Sequence, residues 1–240
     1  MGTSQSLKLK TTPNWASAKR AMTTIVQHHN EVNQQHVYNL LRNESRAIIH
    51  DSNSSYGSSG GRVAKNFIKF ISTVRNNGLA AYVEQENPDL DLGDLSVKDL
   101  LVLIKRHVSN QDPNSDHSTL DDIAARTAFE KLVGTIFTDV ETTGDIENIL
   151  LNATDEQLEG WMIEFQVEYI MELNGILFET QIFSKGVDPD QIATQIRGFV
   201  RVKINEACLD QLHNVNLFSP EGEQYLESLT HQILEIWAQE

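Results

Sequence analysis

Residues able to do chemistry are few in this chain, and each has a plain structural use. Gly57 to Arg62 reads GSSGGR and runs into an amphipathic stretch. A Gly-rich turn feeding a helix can hold an anion, because free backbone N–H groups and the helix dipole point the same way. The GK[ST] ending of a nucleotide-binding loop is missing and no strand pattern precedes it. A flexible linker is therefore the first reading and an anion cradle the second. The histidines are His28, His29, His36, His50, His107, His117, His213 and His231. His29 and His36 stand seven apart, on one face if a helix is continuous there, but HHNEV lacks the second His of the HExxH zinc motif. Zinc needs further ligands and carboxylate support, so these read as surface or core histidines and no metal is expected. Cys208 sits in INEACLDQL, a helical pattern with no local cation, and reads as a small buried hydrophobe. Acid pairs such as that in TLDD suit helix starts. No G-x-S-x-G elbow, Cys–His constellation or kinase signature is present. The residues point to no active site and no cofactor, and to an interaction protein or an enzyme's substrate rather than an enzyme.

The first residues, MGTSQS, pose a separate question. A frayed polar end is the plain reading. The other is that the end itself is reactive. Removal of Met1 ahead of so small a residue would leave Gly2 with a free α-amine. Such an amine has a pKa of about 8, so a useful fraction is an uncharged nucleophile near neutral pH. Glycine adds no side chain to obstruct a narrow cleft. Thr3 and Ser4 could hydrogen-bond there without adding charge. N-myristoylation would also use Gly2, with Ser6 completing its short motif.

The elements that must position these residues read as helices. Thr12-Pro13 opens one through residue 29, and residues 33–50 form a second. VAKNFIKFISTV places Val63, Phe67, Phe70, Ile71 and Val74 on one face, with Gly78 as its C-cap. Ser96 opens a short apolar helix, and Thr119 with Asp122 caps another through about Thr138. TGDIENILLN is a short helix, and Thr154 with Gln157 makes a capping box for a long one. Asp188-Pro189 and Ser219-Pro220 open the last two. No segment reads as strand, and LAAYVE (79–84) alone is ambiguous. The expected fold is all-α, a multi-helix bundle-like body with a flexible N-terminal tail and a Gly/Ser-rich internal linker.

With 240 residues and 40% hydrophobic content the chain can bury a sizeable core. No apolar run of about 18 residues predicts a membrane span and no h-region predicts a secretory signal. With a lone cysteine, this points to the cytoplasm. Net charge is −15, unevenly spread. Residues 1–80 carry ten bases against three acids, and residues 81–240 nine against 31. The organisation expected is a tail over 1–12, a basic helical region over 13–78 with a linker at 51–61, and an acidic helical body over 79–240. The two charge blocks either attract each other or present solvated faces, and the basic block could alternatively meet an acidic partner. Its bases are not interleaved with aromatics, and an acidic body repels phosphate backbones, so nucleic acid is not expected as a partner. Trp15, Arg20 and Arg62 are candidate partner contacts, Trp and Arg being favoured interface anchors; Trp15 could equally close the core.

Five stretches carry a resemblance: MGTS, the Trp of Asn14-Trp15, SSGGRVAKNF, TLDDIAARTAFEKLV and EGWMIEFQVEYIMELNGILFE. Together they resemble the QatB family, the small helical component of bacterial Qat anti-phage defence systems. The family often continues after MGTS with a Ser-Tyr-Gly-Gly-Pro type stretch, where this chain has QSLKLKTTP. The resemblance implies a non-enzymatic, partner-binding component. It implies as partners a QueC-like (QatC-type) enzyme, an ATPase and a TatD-like nuclease. QueC enzymes use ATP to build a nitrile on a deazaguanine, so Gly2 is the expected site of conjugation to a deazaguanine-type base, with Thr3 and Ser4 in the enzyme's cleft. The alternatives are an unmodified adaptor scaffolding the ATPase and nuclease, or a nucleic-acid-sensing subunit.

Overall fold

A computed structural model describes residues 12–51, 57–109, 119–182 and 188–239. Gly2, Thr3 and Ser4, the tail over residues 1–11, linker residues 52–56 and the loop over 110–118 lie outside the described residues. Among the described residues the regular structure is helical throughout. The helices are α1 (Pro13–Gln27), α2 (Gln34–Asp51), α3 (Ser58–Asn77), α4 (Leu79–Glu86), α5 (Val97–Val108), α6 (Leu120–Ile136), α7 (Thr143–Asn152), α8 (Asp155–Ile182), α9 (Pro189–Asn214) and α10 (Pro220–Gln239). A single 3-10 turn, Leu92–Asp94, precedes α5. Among the described residues no helix is long and apolar enough to cross a membrane.

The expected stops and starts are largely present. Ser96 Oγ accepts from Asp99 N, and Thr119 forms a reciprocal box with Asp122. Thr154 and Gln157 exchange backbone-to-side-chain bonds of 2.9 and 3.3 Å. Gly78 ends α3 with φ +84°, a conformation that favours glycine. LAAYVE is helical, because Gly78 turns the chain and Glu147 Oε1 accepts the Leu79 N–H at 2.8 Å.

The chain packs as two compact units. The larger is Gly57–Gly175 with Val200–Ile233. The smaller gathers the described residues within Met1–Tyr56, Ile176–Phe199 and Leu234–Glu240. In the smaller unit α1 and α2 form a helical hairpin. Trp15, Ala18, Met22 and Ile25 recur every three to four residues along α1 and are buried, as are Val37, Leu40, Leu41 and Ile48 of α2. In the larger unit α3 packs against α4, α5, α6 and α7. Its Phe67 ring meets Phe129 edge-on at 5.2 Å, and Phe70 meets Tyr82 at 4.6 Å. Residues 165–171 of α8 are buried without a break, the mark of a central helix.

Two expectations require correction. Ser58–Gly61, read as linker, is the first turn of α3, with Ser59, Gly60 and Gly61 buried. The same Gly/Ser composition serves close packing there rather than freedom. The charge boundary near residue 78 also does not divide the structure, since α3 belongs with the larger unit. Its cations are neutralised inside that unit: Arg62 pairs with Asp122, Lys65 with Glu227 and Lys69 with Glu223. Arg75 caps α7 by donating to Leu150 O and Ala153 O.

Candidate functional site

The start of α3 is where the chain's distinctive stretches meet. Gly57 has φ +94° and turns the backbone into the helix. Its N–H donates to Asp121 Oδ1 at 2.9 Å, and the Ser59 N–H donates to Oδ2 at 3.0 Å. A helix N-terminus leaves such donors unsatisfied and partly positive. Asp121, second residue of α6 and only 3% exposed, supplies the missing anion from within the protein. The buried Tyr169 hydroxyl of α8 donates to the same carboxylate. Beside it, Asp122 Oδ1 accepts from Ser59 Oγ and Arg62 Nη2, each at 2.7 Å. Partial burial works to raise the Asp122 pKa. Hydrogen bonds from Ser59 and Thr119, with the Arg62 guanidinium, outweigh it and hold the carboxyl below its usual range.

The glycine pair makes this junction possible. A Cβ on Gly60 would lie 2.2 Å from Tyr169 Cε1, and one on Gly61 would lie 2.3 Å from the Glu227 carbonyl oxygen of α10. Both distances are impossible for real atoms. SSGG therefore lets Tyr169 and α10 approach the α3 backbone directly. The anion cradle is real in geometry, but Asp121 already occupies it.

SSGGR, TLDD and the α8 stretch containing Tyr169 thus form one interlocked site, an arrangement whose parts make sense only together. The sequence matches a family described as QatB, Qat anti-phage system associated protein QatB, over residues 52–237. The chain belongs to the QatB family. The QatB match begins just ahead of the α3 junction, so α1, α2 and the MGTS start precede it. Comparison with curated proteins and with solved structures returns no match.

The other singled-out residues are scattered over this QatB chain. Trp15 is 7% exposed and belongs to a core, so it is not a free anchor. Arg20 is exposed on α1, and its Nε donates to Ala16 O at 3.2 Å. Arg62 is held by Asp122. Thr12 does not cap α1 with its side chain; its hydroxyl donates to Asp51 of α2, and Asn14 Nδ2 donates to the same carboxylate at 3.2 Å. His28 and His36 lie with ring centroids 5.4 Å apart across the turn between α1 and α2, so His29 and His36 do not share one continuous helix. Among the described residues no group of three or more His, Cys, Asp or Glu is placed to hold a metal ion. Cys208 is buried, and that burial pushes its thiol up to about 12 against the opposing hydrogen bond with Tyr225.

Asp121 and Tyr169 were not legible as site residues. The available signal was the first acid in TLDD: the capping box needs only Asp122, which leaves Asp121 free for another helix.

Proposed function

We propose that this Qat system component acts as a modification substrate rather than a catalyst. Its Gly2 α-amine, freed by removal of Met1, attacks the ATP-activated carboxyl of a deazaguanine-type base on a QueC-like partner, forming an amide and releasing AMP. The helical units dock that enzyme and bring the ATPase and TatD-like nuclease of the system together. The observation that carries this reading is the family match combined with a Gly2 start ahead of α1. Support comes also from what the reactive groups are doing. The α3 N-terminal donors are committed to Asp121, and the only thiol is buried with a raised pKa, a poor nucleophile at neutral pH.

At the other end of the tail, Pro13 begins α1, whose entry is tied to α2 through Thr12, Asn14 and Asp51. A tail rooted there suits delivery of Gly2 into a partner's cleft.

The test is the intact mass and N-terminal peptide mass of the protein, expressed alone and with its QueC-like partner. A non-peptide adduct on Gly2 in the co-expressed sample alone is the expected result. A plain Gly2 terminus beside a demonstrably active partner would overturn it and leave an unmodified adaptor.

A further inference from the structure

The tail is short enough to limit where an enzyme can receive Gly2. With Gly2, Thr3 and Ser4 in a partner's cleft, Gln5 to Thr11 remain to lead from the cleft mouth back to Thr12. Those seven residues span at most about 25 Å, whatever their conformation. Thr12 is held in place, because its hydroxyl and Asn14 Nδ2 both donate to Asp51 of α2. Helix α1 has 15 residues and is about 22 Å long. The mouth of the cleft therefore lies within about one helix length of the start of α1, and the enzyme's body comes against the surface around it.

That surface is cationic. Helix α1 contains no acid. Arg20 is exposed on it, and its guanidinium donates only to neutral acceptors, Ala16 O at 3.2 Å and Ser17 Oγ at 3.4 Å. Half-buried Lys19 stands next to it in sequence, and neither forms an ion pair among the described residues. By the rise of a helix the two lie about 10–12 Å from Thr12, well inside the reach of the tail. Three acids fall within residues 12–51. Glu44 is buried, Asp51 is engaged by Thr12 and Asn14, and Glu31 lies beyond the far end of α1. Helix α3 shows the opposite: Arg62, Lys65 and Lys69 each meet a carboxylate of the chain itself. Cations that no internal carboxylate has claimed can meet an external one, and such rim charges govern encounter and orientation. The acids of residues 81–240, 31 against nine bases, repel the same external surface, so the attraction selects one face.

We propose that the conjugating enzyme docks on the exposed face of α1 beside Thr12, setting an acidic rim of its cleft against Lys19 and Arg20. This docking rests on the reading of Gly2 as the conjugated residue.

The experiment measures conjugation kinetics and, by isothermal titration calorimetry, the Kd between the full chain and its QueC-like partner. Lys19→Glu combined with Arg20→Glu is expected to raise both the KM for the protein substrate and the Kd by about tenfold or more, with kcat unchanged. Arg20→Glu alone is expected to give a smaller change of the same kind. Both constants are expected to rise with salt in the wild type and to rise less in the double variant. Lys98→Glu, a charge reversal at an exposed site on α5 of the larger unit, is expected to change neither. Thermal melts matching the wild type show that the variants are folded. Conjugation of the wild type with KM and Kd indifferent to the α1 reversals overturns the docking and leaves Gly2 as the conjugated residue. Binding that weakens as expected, beside a Gly2 that stays plain, overturns the conjugation reading and leaves the docking face standing. An equal effect of Lys98→Glu would mean that net charge alone steers the encounter, and it overturns the docking as well.

Discussion

The starts of α1 and α3 invite comparison. Both follow polar stretches, MGTSQSLKLKT before one and SNSSYGSS around the other. Both begin beneath an aspartate lent by another helix. At α1, Asp51 accepts from two side chains, Thr12 and Asn14, in a part-buried setting. At α3, Asp121 accepts from two backbone N–H groups and a buried phenol, and two glycines admit neighbours to the helix axis. Water can replace most of what Asp51 does. Nothing can replace Asp121, because burial removes water as an alternative partner. Similar composition thus yields an anchored end at one junction and part of a core at the other.

The comparison breaks most visibly at the glycines. Gly60→Val should cost about 3 kcal/mol or more, because the new side chain overlaps a fully buried Tyr169. Urea unfolding measures it, and the matching change at exposed Ala16 of α1, Ala16→Ser, should stay within about 0.5 kcal/mol. If Gly60→Val folds at wild-type stability, the close approach of α8 to α3 is wrong. Asp121→Ala comes next, at about 2–3 kcal/mol, since it strands the Gly57 and Ser59 N–H groups and the Tyr169 hydroxyl. Faster reaction of Cys208 with a thiol reagent should accompany it, because a buried thiol held up to about 12 reacts only when the unit opens. Asp51→Ala should cost only about 1 kcal/mol, read as a small fall in Tm, if α1 is held as described.

The smallest effect belongs to a contact with one partner fully exposed. The hydrogen bond and charge of Glu159 raise the His213 pKa, against a smaller opposing effect of desolvation. A raised folded-state pKa makes the pair stabilising in full below the unfolded value of about 6.5, with the benefit lost as pH rises through the folded value. His213→Gln should therefore lower Tm slightly near pH 5.5 and leave it unchanged near pH 9. Equal Tm differences at both pH values would mean that the pair does not form.

Local signals determined the elements. Thr119 with Asp122, Thr154 with Gln157, Ser96 and Gly78 mark helix ends through bonds to residues within four positions, so the sequence carries nearly all of their physics. Apolar spacing at three and four residues likewise revealed the buried faces of α1 and α3. The all-α class followed from such patterns; the QatB resemblance rested on whole stretches such as SSGGRVAKNF and TLDDIAARTAFEKLV, and the family match agrees. Tertiary structure alone decided what the Gly/Ser stretch is for. Glycine and serine have the same local preferences in a linker and in a tightly packed helix start, so composition cannot separate the two. The choice was made by Asp121, Tyr169 and Glu227, 60 or more residues away along the chain. The same holds for the basic block, whose α3 cations looked available until α6 and α10 supplied their partners. Backbone and side-chain bonds over a few residues are written locally; burial, and with it the value of a buried carboxylate, exists only once distant helices have closed around it.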